Sequence, residues 1–312
     1  MTEVAAHGTV RRRAVTVLVI GTMFWTGGGL IARGAPLGGP QLAFWRSLLG
    51  AAIYQSIVIA RGPRPTLARV ATQLRVCAVA GVGFGLGIVA LFMAYKSTTL
   101  LDANVIGAIA PLILVPLAAR LHGDRLPGIA IVLVLVAFAG TVIAVIGSSN
   151  SGAWSLRGDL LAALGVVVSC LYPIGTKSAR RTLEPLEFQA GVLWVSAAIT
   201  LPAAIWLGDG WLWPSARSLG WALALVAIGG TGHLCFSWSQ RHLSVADTST
   251  IGLIEIIEVS VAAAIVFDQP ISILAGIGMV TVMAAVGGFV RLTAAIEPDE
   301  AGTTVLAVGP DR

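Results

Sequence analysis

The sequence predicts an all-α integral membrane protein, with ten transmembrane helices arranged as a 5+5 inverted repeat. Three observations carry that reading. First, 56% of the 312 residues are hydrophobic and 11% are charged, against about 25% charge in soluble domains. A mean hydropathy of +0.89 leaves too little polar surface to coat a globule, which points to a polytopic helical protein. Second, ten apolar segments each approach the roughly 20 residues that cross a hydrocarbon core. Third, one polar break near mid-chain, Ser148 to Asp159 (SSNSGAWSLRGD), leaves five segments on each side.

The segments are 14–33, 41–60, 76–95, 101–119, 127–147, 159–176, 188–207, 218–240, 245–267 and 271–291. Short linkers around segments three to five keep nine or eleven spans open. Residues 1–13 form an N-terminal cytoplasmic tail. Arg11, Arg12 and Arg13 precede the first apolar run, but no small-residue cleavage site follows it, so it is not read as a removable signal. Repeat 1 then fills 14–147, an external linker 148–158, and repeat 2 159–291. Residues 292–312 are an acidic, small-residue-rich cytoplasmic tail expected to be disordered.

Charge tests the topology. With the N-terminus inside, the inner side receives fifteen basic residues, among them Arg11, Arg12, Arg13, Arg69, Lys177, Arg180 and Arg241. The outer side receives four: Arg33, Lys96, Arg157 and Arg217. That asymmetry is a positive-inside signal and predicts a multi-pass plasma (cell inner) membrane protein with both termini cytoplasmic. It also accounts for the net charge of +5, leaving no basic patch with interleaved aromatics for nucleic acid. Trp211 and Trp213 suit the headgroup belt at an outer loop. An odd number of spans per half forces the halves into opposite orientations. Sliding the second half back by 144 residues aligns Gly85 with Gly229, Phe92 with Phe236 and Asp124 with Asp268.

The chain resembles the EamA-type transporters of the drug/metabolite transporter (DMT) superfamily over nearly its whole length. The resemblance rests on Pro40 to Arg46 (PQLAFWR), on Leu91 to Pro111 (LFMAYKSTTLLDANVIGAIAP), and on Leu121 to Gly128 (LHGDRLPG) with its second-half echo Phe267 to Ser272 (FDQPIS). Two departures stand out. The turns carry Asp124 and Asp268 where the family pattern has glutamate, and Glu255 falls opposite Pro111 of the first half. The resemblance implies transport, most commonly efflux of amino acids or related metabolites.

The chemistry concentrates in few residues. Glu255 and Glu258, spaced i and i+3, share one helical face inside an apolar segment. A charge at mid-bilayer costs at least about 2.5–3.5 kcal/mol, so these acids are read as a substrate or coupling site that exchanges a proton. A structural pair bonded to neighbouring helices is the plainer alternative. Arg46 is the expected counter-ion of Glu258, either as a substrate-carboxylate site or as a permanent ion pair. Gly27, Gly28 and Gly29 in the first span and Pro173 and Gly175 in the sixth are read as matched helix interruptions, because Gly29 meets Pro173 at the 144 offset. Close helix packing is the competing reading. His233 is a candidate proton relay, though a hydrogen-bonded core histidine is the commoner case. Trp25, Tyr95 and Trp238 are candidate cavity aromatics. Gly81 to Gly87 (GVGFGLG) is a packing surface rather than a dinucleotide loop.

Cys77, Cys170 and Cys235 have neither disulfide nor metal-ligand spacing. No nucleophile–base pair, metal cluster or phosphate loop appears, so no enzyme, metal or cofactor is expected. The expected function is secondary transport of small organic metabolites or drugs by alternating access, with protons as a coupling ion. Metabolite uptake and a non-transporting membrane scaffold are the alternatives. The partners are a small-molecule substrate, membrane lipid, protons and, as an open alternative, a second copy in a homodimer.

Overall fold

The computed structural model describes residues 2–303 apart from 63–65, 99, 108–109, 112, 115–116, 118–119, 121–126, 149–154, 209–212 and 267–271. All its regular elements are helices: α1 (Thr2–Gly34), α2 (Gly39–Arg61), α3 (Leu67–Ser97), α4 (Leu100–Gly107), α5 (Gly128–Ser148), α6 (Leu156–Ser169), α7 (Leu171–Ala179), α8 (Pro185–Trp206), α9 (Ala216–Ser239), α10 (Val245–Ile251), α11 (Ile254–Val266) and α12 (Ile273–Thr303). In lipid only helices and closed barrels satisfy every backbone amide internally, and these apolar runs are long enough to do so as helices.

Among the described residues six stretches are long and apolar enough to cross a membrane: Thr9–Gly34, Gly39–Arg61, Leu67–Ser97, Leu156–Ala179, Pro185–Trp206 and Ala216–Ser239. Gly128–Ile143 and Gly276–Leu292 are shorter apolar helices. Of the two other expected spans, 101–119 lies partly outside the described residues and 245–267 is broken. The Asp124 and Asp268 turns, and Trp211, lie outside the described residues. Helical structure also reaches beyond the expected span ends. α1 begins at Thr2, inside the expected N-terminal tail, and α12 runs to Thr303, into the segment expected to be disordered.

Starts are set by local chemistry. Thr66, Ser155 and Ser215 each accept a backbone N–H of the first turn, at 3.2–3.3 Å. Ser244 and Asp247 form a reciprocal capping box at α10, and Glu184 with Glu187 does the same at α8. Each cap satisfies amides that a helix otherwise leaves open.

Two expected spans are interrupted. The sixth divides at Cys170 into α6 and α7. Pro173 has no N–H to give the Ser169 carbonyl, and its ring crowds that carbonyl. The ninth divides at Gly252–Leu253 into α10 and α11. There the amides of Leu253, Glu255 and Ile256 donate to Thr250, Gly252 and Leu253, three residues back instead of four. This tightened turn lies immediately before Glu255. The first span, by contrast, is not interrupted: α1 passes through Gly27–Gly29 as one helix. Glycine keeps its amide, so the hydrogen-bond ladder survives.

The helices pair across the two halves by a rule. α1 packs on α9, and correspondingly α6 and α7 pack on α3; α3 packs on α8, and correspondingly α9 on α2; α4 packs on α6, and correspondingly α11 on α1. α2 with α8, and α5 with α12, are their own counterparts. Exchanging the halves maps this set of contacts onto itself, as a two-repeat fold requires. Glycines permit the close approaches. A Cβ on Gly81 would lie 2.5 Å from Val195 Cβ, facing α8, and one on Gly83 would lie 2.5 Å from Leu171 Cβ, facing α7. GVGFGLG is thus a two-faced packing surface. Gly175, read as an interruption, packs against Ala80 at a similar range. Outward-facing Ile129, Ile131, Leu135, Ile277, Val280 and Met283 leave an apolar surface on α5 and α12, suited to lipid.

Candidate functional site

The two breaks meet at one cavity of about 210 Å³. Ser169, Cys170 and Pro173 reach it from the α6–α7 break, and Ser249, Gly252 and Leu253 from the α10–α11 break. Gly107 and Pro111 add the expected fourth span, and Trp25, Tyr172 and Phe236 supply an aromatic wall. Each break lies about seven to ten residues from its helix end, or about 10–15 Å, which is near mid-depth in a hydrocarbon core about 30 Å thick.

The wall is part of a larger aromatic cluster. Trp25 lies 5.2 Å from both His233 and Phe236, ring centre to ring centre. Tyr172 stacks on Phe236 at 5.5 Å and meets Phe84 at 5.2 Å. His233 stands edge-on to Phe84 at 4.8 Å. Behind Phe84 lies Arg46, 3% exposed, its guanidinium carbon 4.7 Å from the ring centre. Tyr54 and Tyr172 are within electrostatic reach of the cation. Two of its nitrogens, Nε and Nη1, are buried without a hydrogen-bond partner. Leaving a buried cation without its counter-ion costs about 3–5 kcal/mol, and a desolvated cation–π contact offsets about 2 kcal/mol of that.

The expected Arg46–Glu258 pair is not formed. Glu258 instead accepts from Thr22 at 2.9 Å and from Thr26 at 3.4 Å, two α1 hydroxyls one turn apart. Glu255 faces Tyr95 and Glu258 electrostatically. Both acids therefore look into the protein, toward α1 and α3. Their neighbours Leu253 and Ile256 line the cavity, so the acids border it from the same helix. Tyr95 is buried beside Glu255, away from the aromatic wall. Trp238 is not brought to the cavity. It lies 4.7 Å from His242 and under Arg13 at 5.8 Å, at the arginine-rich end. Gly28 packs against Gly229, where an added Cβ would lie 3.3 Å from the partner Cα. Gly27 faces Ile228 and Gly29 faces Leu100 and Tyr95. These glycines hold α1 against its neighbours.

The two ends of the molecule differ. At the arginine-rich end Arg11 pairs with Asp247 at 3.2 Å and donates to the Val290 carbonyl at 3.2 Å. Lys177 donates to Leu243 O at 2.6 Å, and Arg180 to Ser237 O at 2.9 Å and to the Leu183 carbonyl. Gln240 reaches Thr248 at 2.7 Å. These bonds tie α1, α7, α9, α10 and α12 together at that end. At the other end lies a polar vestibule of about 680 Å³, lined by Lys96, Arg157, Gln41, Ser215, Ser218 and Trp213, among others.

Reading the sequence missed Phe84, Phe236, Tyr54, Asp247 and the α10–α11 break. Thr22 and Thr26 left a usable signal: two hydroxyls at i and i+4 on the face of an apolar helix. Phe84 was hidden inside a glycine run that drew attention to packing.

Comparison with known proteins fits this architecture. A model described as the EamA-like transporter family matches residues 12–146 and again 156–291, bracketing the two exchangeable halves. A solved crystal structure of another protein aligns with 91% of this chain and 99% of its own, at a TM-score of 0.69 and 20% identity. At that identity the likeness concerns the fold alone. No curated protein matches the chain. A double match over most of its length, on a two-repeat helical membrane fold, means that the chain belongs to the EamA-like transporter family.

Proposed function

We propose that the protein is a secondary transporter that exports small organic metabolites or drugs by alternating access. The observation that carries this reading is the meeting of two broken helices at one cavity. Breaks of this kind free backbone groups for a ligand at mid-depth, where repeat transporters hold their substrates. The bonded arginine-rich end is, in this reading, closed and the opposite vestibule open, one half of an access cycle. In this reading ten spans form an inverted repeat in the plasma membrane, with both termini cytoplasmic. The arginine-rich end is then inside, the vestibule outside, and the cycle exchanges the two. Glu255 and Glu258, bordering the cavity, couple the cycle to protons.

The test compares metabolites secreted by a deletion strain and an overexpressing strain. A compound that falls in one and rises in the other supports export and names the substrate. A compound that accumulates outside the deletion strain points to uptake instead. Unchanged secretion across a broad panel, with the protein present in the membrane, sinks the export reading. A reporter fused after Trp213 checks orientation: an inside signal there overturns the ten-span topology.

A further inference from the structure

The centre around Arg46 is rich in donors and poor in acceptors. Arg46 Nε and Nη1, Trp25 Nε1 and His233 Nδ1 are all buried without a hydrogen-bond partner. They belong to one contiguous cluster, since Trp25, Tyr172 and Phe84 all contact His233 and Phe84 carries Arg46. Thr176 lies beside the Tyr172 hydroxyl; its own proton goes to the Tyr172 carbonyl at 2.6 Å, so its oxygen accepts the tyrosine proton and Tyr172 is not one of the open donors. Among the described residues no carboxylate pairs with Arg46, whereas Arg11 pairs with Asp247, Arg69 with Glu187 and Arg241 with Glu184. Buried donors of this kind are ordinarily satisfied, and a desolvated guanidinium calls for an anion.

A second observation points the same way. Among the described residues the vestibule carries Lys96 and Arg157 and no acid in its lining. Gln41 is part of that lining, and Arg46 lies five residues further along the same helix, about 7.5 Å deeper. Cations along a low-dielectric approach raise the local concentration of anions. The cavity wall formed by Trp25, Tyr172 and Phe236 is apolar and aromatic, so it suits a ligand body of the same character.

We propose that the Arg46 centre binds the carboxylate of a small organic anion whose apolar body occupies the adjoining cavity. Trp25 and His233, the latter as its Nδ1–H tautomer, are the neutral donors that complete the anion's shell, and Phe84 lies 4.7 Å from the guanidinium carbon. As a substrate assignment this rests on the transport reading; as a binding site it does not.

Phenylacetate serves as the probe and neutral phenylacetamide, of nearly the same shape, as its control. Binding to the purified full-length chain in detergent is followed by thermal shift and by tryptophan fluorescence. Phenylacetate is expected to bind saturably, phenylacetamide about thirtyfold more weakly or not at all, and Arg46→Gln to lose a similar factor. Equal binding of acid and amide overturns the proposal on the wild-type protein alone, whatever the variant does. So does the absence of binding by both. A shift produced by chloride but not phenylacetate assigns the centre to an inorganic anion and also overturns it. Arg46→Lys keeps the charge without the planar fork and is expected to fall between wild type and Arg46→Gln. Flux of labelled phenylacetate into proteoliposomes separates the two claims. Binding without flux removes the transport reading and leaves the site; flux that Arg46→Gln does not alter removes the site and leaves transport.

Discussion

Two arginines of this molecule, Arg11 and Arg46, are treated in opposite ways. Arg11 has a carboxylate, Asp247, and a carbonyl, Val290, as partners. Arg46 lies against an aromatic face with two nitrogens unbonded. The same contrast runs through their regions. The arginine-rich end gives Arg11 a carboxylate and Lys177 and Arg180 carbonyl acceptors, tying five helices together, although Arg180 Nη2 and Gln240 Oε1 stay unbonded there. The centre keeps two guanidinium nitrogens, a histidine nitrogen and the Trp25 indole N–H without partners. A closure needs partners that satisfy one another, whereas a binding centre needs groups left for something that arrives.

The contrast can be broken by substitution. The largest effect is expected at Arg46. Arg46→Gln should leave the protein in the membrane and reduce transport of the compound identified by secretion at least about a hundredfold, the scale of a lost buried charge contact. Arg11→Gln should slow the cycle far less. Equal losses in both would erase the distinction between the two regions. Glu258→Gln comes next. It retains an acceptor for Thr22 and Thr26, so folding should survive, while transport coupled to a pH gradient should be lost. Gradient-driven uptake equal to wild type would remove Glu258 from the coupling.

Asp247→Asn probes the seal alone, because asparagine still caps α10. It removes the buried charge that faces Arg11, at a cost of about 3 kcal/mol. The melting temperature should fall. Labelling of a cysteine placed at Thr248 by a membrane-impermeant thiol reagent should rise. Unchanged labelling would mean that the pair is not part of the closure.

His242 offers a smaller effect. It lies in the turn after α9, where partial burial and the cations Arg241, Arg180 and Lys177 hold its imidazole below its ordinary value. The folded protein therefore binds this proton less readily than the unfolded chain. The neutral imidazole's contribution is complete above the unfolded value of about 6.5 and is lost as pH falls toward the folded value. His242→Gln should flatten the decline in melting temperature over that acidic window; an unchanged slope would rule the residue out. Least of all is expected from Glu184→Gln. Its pair with Arg241 has side chains 68% and 52% exposed, and exposed pairs contribute about 0–1 kcal/mol.

Much of the fold was legible because apolar length is a strong signal. The all-helical class, the two halves and the glycine packing face follow from composition and spacing. The helix interruptions were harder. Glycine and proline both look like breakers in a string of letters, yet only proline removes a donor. Even that rule is incomplete, since Pro202 lies inside α8 without dividing it. The α10–α11 break had only Gly252 to announce it. The Arg46–Glu258 pairing failed for a different reason. Arg46 and Glu258 match in depth, but depth says nothing about which way a side chain turns. Glu258 found two hydroxyls on α1 closer at hand. The aromatic cluster draws on α1, α3, α7 and α9, and no local pattern in any one of them anticipates it.

The exchange symmetry of the halves has a consequence for stoichiometry. A centre duplicated with the repeat would appear twice in the molecule. At the 144 offset, however, Arg46 meets Ala190, and α8 contains no arginine or lysine. Duplication built the frame in two copies, but the cation stands in only one of them. Titration of the purified chain with phenylacetate should therefore saturate at a single equivalent.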